Sequence, residues 1–310
     1  MTDAFIVLLP VFIVIVIGAV LRRTNLMGDA HWAGVDHVCY FVLFPAIIFK
    51  EIAAADFSRI PVWHMAASMV LALMTMFALL LVLRKSLSAA LGINGAQFSA
   101  LFQGATRWHT FIAFAIVPLF FGDGALALAA VSAATMTPLL NVVCVIVLSV
   151  YASNGGESPS AGRLAFVVLR NPFFLSSMGG VLFQLSGLSL PALGVQVLDM
   201  IGRGALGLAL LTVGAGLRFG EAASAKMTVA LATALKLLLM PVLMAVALKL
   251  FGVTGTPAAV AVLCSAVPTG SGAYVLARQM GGDAPLVANI LTFQVICAAV
   301  SIPLVLAFLA

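Results

Sequence analysis

Three observations predict an all-α polytopic membrane protein, with ten transmembrane helices in two inverted five-helix repeats and broken crossing helices 4 and 9. The first is composition. Of 310 residues, 64% are hydrophobic and 8% charged, and mean hydropathy is +1.23, far too little charge to cover a soluble domain. The second is segmentation. A spanning helix needs roughly 20 apolar residues, and apolar runs place spans at 4–21, 34–55, 62–83, 95–121, 124–151, 166–185, 193–217, 226–248, 257–281 and 285–309. The third is an internal repeat. LGINGAQ (91–97) resembles FGVTGTP (251–257), and FFGDG (120–124) resembles MGGDA (280–284). Gly92 and Gly252, Gly95 and Gly255, Gly122 and Gly282, and Asp123 and Asp283 are each 160 residues apart. Five spans per half require the second copy to be inserted upside down, and inverted repeats place a substrate site near the bilayer centre.

The first span begins after Asp3, with Arg22 and Arg23 behind it, the reverse of a cleavable signal peptide. The longest polar connection, YASNGGESPSAGR (151–163), divides the chain. Residues 1–151 form the first repeat, 152–163 a cytoplasmic linker, and 164–310 the second repeat. The odd-numbered connections and their flanks hold Arg22, Arg23, Arg84, Lys85, Arg163, Arg170, Arg218, Lys226 and Arg278, against Lys50, Arg59 and Lys249 in the even-numbered connections and at the termini. Positive charge favours the cytoplasm, so both termini are expected on the non-cytoplasmic side. The net charge of +5 is spread over span ends, which speaks against nucleic acid as a partner. Cys39, Cys144, Cys264 and Cys297 lie inside apolar segments with no metal-ligand spacing, so neither a disulfide framework nor a metal site is expected.

The ninth span carries Pro268, Thr269, Gly270, Ser271 and Gly272 near its midpoint. Proline lacks an amide donor and glycine relaxes the backbone, so the helix should break there. Broken backbone survives in a bilayer only against other protein or a water-filled cavity. The repeat assigns the same fate to the fourth span at GATRWHT (104–110), where no proline marks it. Each break starts a half-helix at mid-membrane, His109–Phe111 in one and Gly270–Gly272 in the other. Helix N-termini carry unpaired amides and partial positive charge, so two that face each other suit a carboxylate. Thr110, Thr269 and Ser271 add hydroxyls.

Arg107 either binds that anion or pairs with carbonyls at the break, since a charge at this depth needs a partner or an aqueous cavity. His109 is a substrate ligand or a proton carrier, its imidazole titrating near neutrality. Lys236, about ten residues into the eighth span, is a second proton-coupling candidate or a snorkelling side chain. Asn141, Thr135, Thr137 and Pro138 on the fifth span, with Thr292 and Gln294 on the tenth, line the crossing or bond between helices. Asp199 and Arg203, four apart, are expected to pair on one helix face. Asp123 and Asp283 should cap helices after Gly122 and Gly282.

With these residues in view, the chain resembles the auxin efflux carrier family in its bacterial branch. The resemblance rests on PVFIVIVIGAVLRR (10–23), VDHVCYFVLFPAIIF (35–49), RWHTFIAFA (107–115), FGDGALALA (121–129), TPLLNVV (137–143), LGLALLTVGAGL (206–217) and VPTGSGAYVLARQMGGDAPLVANILTFQ (267–294). It implies a scaffold of helices 1, 2, 6 and 7 with a homodimer interface, a transport domain of helices 3–5 and 8–10, elevator-like movement and organic-anion substrates. The family commonly has asparagine and then glycine in the fourth-span motif, where this chain has His109 and Ala113.

The expected function is therefore secondary active transport of a small organic anion such as a mono- or dicarboxylate in the cell (inner) membrane, with no cofactor. The alternatives are an intramembrane serine hydrolase using Ser271 and His109, and a passive anion channel.

Overall fold

The computed structural model describes residues 2–55, 61–152, 160, 162, 166, 169–218 and 225–309. Nearly all of these are helical, and no strand occurs among them. Eight helical segments are long and apolar enough to cross a membrane, and two shorter apolar helices, Pro172–Leu185 and Gly255–Ala266, fall at the sixth and ninth expected positions.

In chain order the helices are α1 (Thr2–Arg23), α2 (Asp29–Ala54), α3 (Val62–Val82), α4 (Arg84–Leu91), α5 (Gly95–Thr106), α6 (Thr110–Phe121) and α7 (Leu126–Tyr151). They continue as α8 (Pro172–Leu185), α9 (Ala192–Arg203), α10 (Ala205–Ala215), α11 (Lys226–Leu250), α12 (Gly255–Ala266), α13 (Gly272–Gln279) and α14 (Ala284–Leu309). The third connection is thus a helix rather than a loop. With Arg84 and Lys85 in its first turn, α4 is too short and polar to span, and Arg84 packs its guanidinium 4.1 Å from the Tyr151 ring.

Prolines explain two irregularities. Within α2 and α11, π-helical turns at Cys39–Leu43 and Leu235–Leu239 each end just before Phe44-Pro45 and Met240-Pro241. A proline cannot donate to the carbonyl four residues back, and the register shifts to a five-residue bond: Phe44 donates to Cys39, and Met240 to Leu235.

Two sets of helix contacts stand out, joined through α7, which also packs on α8 and the second half of α2. In the first, α1 lies on α10, and the second half of α2 lies on α8 and α9. Glycines bring the backbones together: Gly18 abuts the Leu211 carbonyl and Gly214 the Ile15 carbonyl, while a methyl on Gly180 would sit 3.0 Å from the Phe49 carbonyl oxygen. Small residues permit such approach in an apolar solvent where the hydrophobic effect between helices is weak. In the second group α3 packs on α7 and α11, α5 on α7 and α14, and α12 and α13 on α14. The broken span Gly95–Phe121 is the most enclosed, with 72% of its apolar window buried against 22% for α1. Leu9, Ile13, Val16 and Val20 of α1 face outward.

The spacing of 160 residues has structural counterparts. Both α5 and α12 are 12 residues long, and α7 and α14 are both 26. Gly92 and Gly252 are left-handed, at φ +64° and +67°, each closing a helix with a six-to-one bond, Ile93 N–H to the Ser88 carbonyl and Val253 N–H to the Leu248 carbonyl.

The predicted Asp199–Arg203 pair gives way to a different one. Asp199 reaches Lys50 at 2.6 Å, and Lys50 also contacts Glu51 at 3.2 Å. An ammonium on the facing α2 approaches Asp199 directly, whereas a neighbour on the same helix must bend along the surface. Asp283 does cap its helix, its Oδ1 accepting from Leu286 N–H; Asp123 opens a short 3-10 turn instead.

Candidate functional site

Both expected breaks are present. The last helical bond of α5 runs from Arg107 N–H to the Gln103 carbonyl at 2.9 Å, and α6 resumes at Thr110. In the other span α12 stops at Ala266 and α13 starts at Gly272. Arg107 and Val267 leave their helices in the same extended conformation, φ −69° with ψ 157° and 154°. The chains then diverge: three residues separate α5 from α6, and five separate α12 from α13.

The two breaks touch. A methyl on Gly270 would sit 2.7 Å from the Trp108 carbonyl oxygen and 3.6 Å from His109 Cα. Around this contact the freed backbone groups find side-chain partners. The Gly104 carbonyl accepts from Thr269 Oγ1 at 2.7 Å and from Gln294 Nε2 at 2.8 Å, and Thr269 N–H donates to Gln294 Oε1 at 2.8 Å. Gln294 Nε2 also reaches the Ala232 carbonyl at 3.3 Å. One side chain on α14 therefore holds both crossing segments. Gln294→Leu keeps the volume but strips the buried Thr269 amide of its acceptor, which costs about 1–3 kcal/mol. A lowered Tm with loss of ligand response is the expected result; an unchanged Tm would contradict this role.

Trp108 donates its indole N–H to Thr137 Oγ1 at 3.3 Å, and Arg107 Nη2 donates to Asn141 Oδ1 at 2.9 Å. Thr292 Oγ1 bonds the Ala288 carbonyl and accepts from the Arg218 amide at 2.9 Å, joining α14 to the chain beyond α10. Thr135 bonds back to the Val131 carbonyl within α7. Pro138 lies inside the same helix. Lys236, in the π-helical turn of α11, donates to the Ser265 carbonyl at 2.9 Å, two residues before the second break.

Access to the two half-helix N-termini is unequal. His109, Thr110 and Phe111 are buried at the start of α6, and Pro268 and Thr269 are buried too. Gly270 and Ser271 are partly exposed, and Gly272 is exposed. The N-terminus of α13 is thus the open one, and a methyl on Gly272 would lie 3.3 Å from Arg107 Nη2. Arg107 Nη2 donates to the neutral Asn141 amide, and its Nη1 is buried with no partner. The Ala273 and Tyr274 amides bond back to the Gly270 and Ser271 carbonyls. The arrangement that suits an anion is therefore a guanidinium with no carboxylate partner among the described residues, beside a helix N-terminus at Ser271–Gly272. His109 Nε2 is likewise buried with no partner, so it is not bonded to Ser271.

Sequence reasoning passed over several polar groups. Gln103, fully buried with both side-chain amide atoms unpartnered, sits four residues before Arg107. Asn289 Oδ1 is buried and unpartnered three residues before Thr292. Tyr40 of α2 accepts from Nδ2 of Asn171, the cap of α8, at 3.3 Å. The available signal was a lone polar residue in an apolar run.

No curated protein matches the chain. Residues 160–306, which contain the Pro268–Gly272 break and Gln294, match the family model described as membrane transport protein. Over that stretch the chain is similar to membrane transport proteins, in keeping with the eight segments among the described residues that are long and apolar enough to cross a membrane.

Proposed function

We propose that this protein is a secondary active carrier of a small organic anion, a mono- or dicarboxylate, working by alternating access. The observation that carries the reading is the open N-terminus of α13 beside the uncompensated Arg107 guanidinium, at the contact between two broken spans. Amide dipoles and a fixed cation together favour a carboxylate, and their depth in an apolar fold fits a site reached alternately from two sides. Arg107, Ser271 and Gly272 would touch the anion. Asn141, Thr269 and Gln294 would hold them in place.

The same reading takes the chain as ten spans in two inverted five-helix repeats, with both termini on the non-cytoplasmic side of the cell inner membrane. Matching helix lengths, paired left-handed glycines and the shared conformation of Arg107 and Val267 support it. The group formed by α1, α2, α8, α9 and α10 would be the scaffold, with its outward apolar face of α1 suited to lipid or a second copy. The remaining helices would move as one elevator-like body. A proton is the proposed coupling ion, with His109 and Lys236 as its candidate carriers.

Uptake of labelled organic acids into proteoliposomes, with and without a pH gradient, is the test. Saturable flux of at least one acid is expected, and no flux across a broad panel would reject the proposal. Flux that never saturates would favour an anion channel. Labelling of Ser271 by a fluorophosphonate would favour the hydrolase, although His109 Nε2 makes no bond that could activate a serine. His109→Asn should flatten the dependence of uptake on pH around neutrality, because asparagine does not titrate. A retained pH profile would remove His109 from the coupling path.

A further inference from the structure

Tyr40 lies in the π-helical turn of α2, and its hydroxyl bonds to the cap of α8. The direction of that bond is fixed from the other end. Asn171 Oδ1 accepts from the Phe173 and Phe174 amides at 2.9 and 3.1 Å, which commits the oxygen to the start of α8. Its nitrogen therefore faces Tyr40, and an amide nitrogen can only donate. The hydroxyl must accept, at 3.3 Å, and its own proton is left over. No acceptor takes that proton among the described residues. Tyr40 is only half-buried, so a solute can reach the donor.

The face of α2 that carries Tyr40 looks toward the crossing. Four residues on, Phe44 stacks on Phe111 with ring centroids 4.4 Å apart. Phe111 is the second residue of α6, directly behind the first break. The Phe173 ring of α8 packs against both Tyr40 and Phe44, at centroid distances of 4.8 and 6.2 Å. Two charged side chains act on the Tyr40 hydroxyl, and Arg107 acts more strongly than Asp36. Asp36 already accepts from Thr212 Oγ1, at 3.5 Å. A spare O–H donor in the field of a guanidinium suits a negatively charged acceptor.

We infer that the Tyr40 hydroxyl is a further ligand of the transported carboxylate, donating to it from α2 as Arg107 and the start of α13 hold it. The inference rests on the carrier reading above and adds a contact to its site. The anion would then bridge the two sets of helices. Asn171 acts as a positioning residue, because its amide turns the hydroxyl proton away from α8.

The purified full chain is titrated with acetate, benzoate, succinate and glutarate at constant ionic strength, and the midpoint of the rise in Tm is read. Tyr40→Phe should weaken binding of any acid that stabilises wild type by about tenfold or more, the worth of one hydrogen bond to a charged group. Asn171→Ser keeps a capping oxygen and removes only the amide, so the hydroxyl can still donate and affinity should stay within about twofold. Unchanged affinity in a folded Tyr40→Phe protein would overturn the inference. Equal losses in the two variants would do so too, since the effect would then belong to the contact between α2 and α8. The chain has three tyrosines, so fluorotyrosine labelling gives a second readout, with the Tyr40 signal identified through Tyr151→Phe and Tyr274→Phe. Its fluorine resonance should move with the same midpoint as Tm. A resonance unmoved at saturation would overturn the inference even where Tyr40→Phe fails to fold. No stabilisation of wild type by any of the acids, with no uptake across the broad panel, would instead reject the carrier reading and this inference with it.

Discussion

Gly270→Ala is expected to abolish uptake and lower Tm. The methyl would sit 2.7 Å from the Trp108 carbonyl oxygen, a backbone atom that cannot rotate away. The segments must separate, and the nearest bond between them is Thr269 Oγ1 to the Gly104 carbonyl, at 2.7 Å. Overpacking of this kind costs about 1–3 kcal/mol, and stretching a buried hydrogen bond adds about 1 kcal/mol. The contact that distorts is the one forming the site, so function should fall further than stability. Gly272→Ala is the control. Its methyl meets only the flexible end of Arg107, at 3.3 Å, and it should remain folded with at most a modest change in affinity. Uptake by Gly270→Ala equal to that of wild type would show that the two breaks do not need this contact.

The two breaks differ in how far the sequence displays them. Pro268, Gly270 and Gly272 remove a donor and relax the backbone, so the second break is local chemistry and readable as such. The first has no such residue. Arg107-Trp108-His109 would continue a helix in isolation. Its carbonyls and side chains are instead claimed from elsewhere, Gly104 by Thr269 and Gln294, 165 and 190 residues away, and Trp108 by Thr137. Only the constant offset between the halves pointed to it. The same limit explains Asp199, because spacing rules for one helix name Arg203 and cannot name Lys50. It also applies to Lys236, whose depth was evident but whose partner, the Ser265 carbonyl, is set by packing. Eight apolar segments long enough to cross, and their order, were legible because the bilayer imposes length and polarity on each segment separately.

Arg107→Ala should weaken binding of the transported acid by about 10–100-fold, the worth of one or two hydrogen bonds to a charged group. The cation sits where α5 ends, beside the open end of α13, with the neutral Asn141 amide on Nη2 and a buried unpartnered Nη1. A guanidinium serving only to hold the break together would spend its donors on carbonyls or a carboxylate. This one holds the Asn141 amide with Nη2, the nitrogen nearest Gly272, and leaves Nη1 buried without a partner. Arg107→Lys separates charge from geometry: it keeps the field but not the planar fork, so its affinity should fall between the other two. The measurement is the midpoint of ligand-induced thermal stabilisation for an acid that the wild-type protein transports, with unliganded Tm as the check on folding. Unchanged affinity in a folded Arg107→Ala protein would make the arginine structural and leave anion binding to Ser271 and Gly272 at the start of α13.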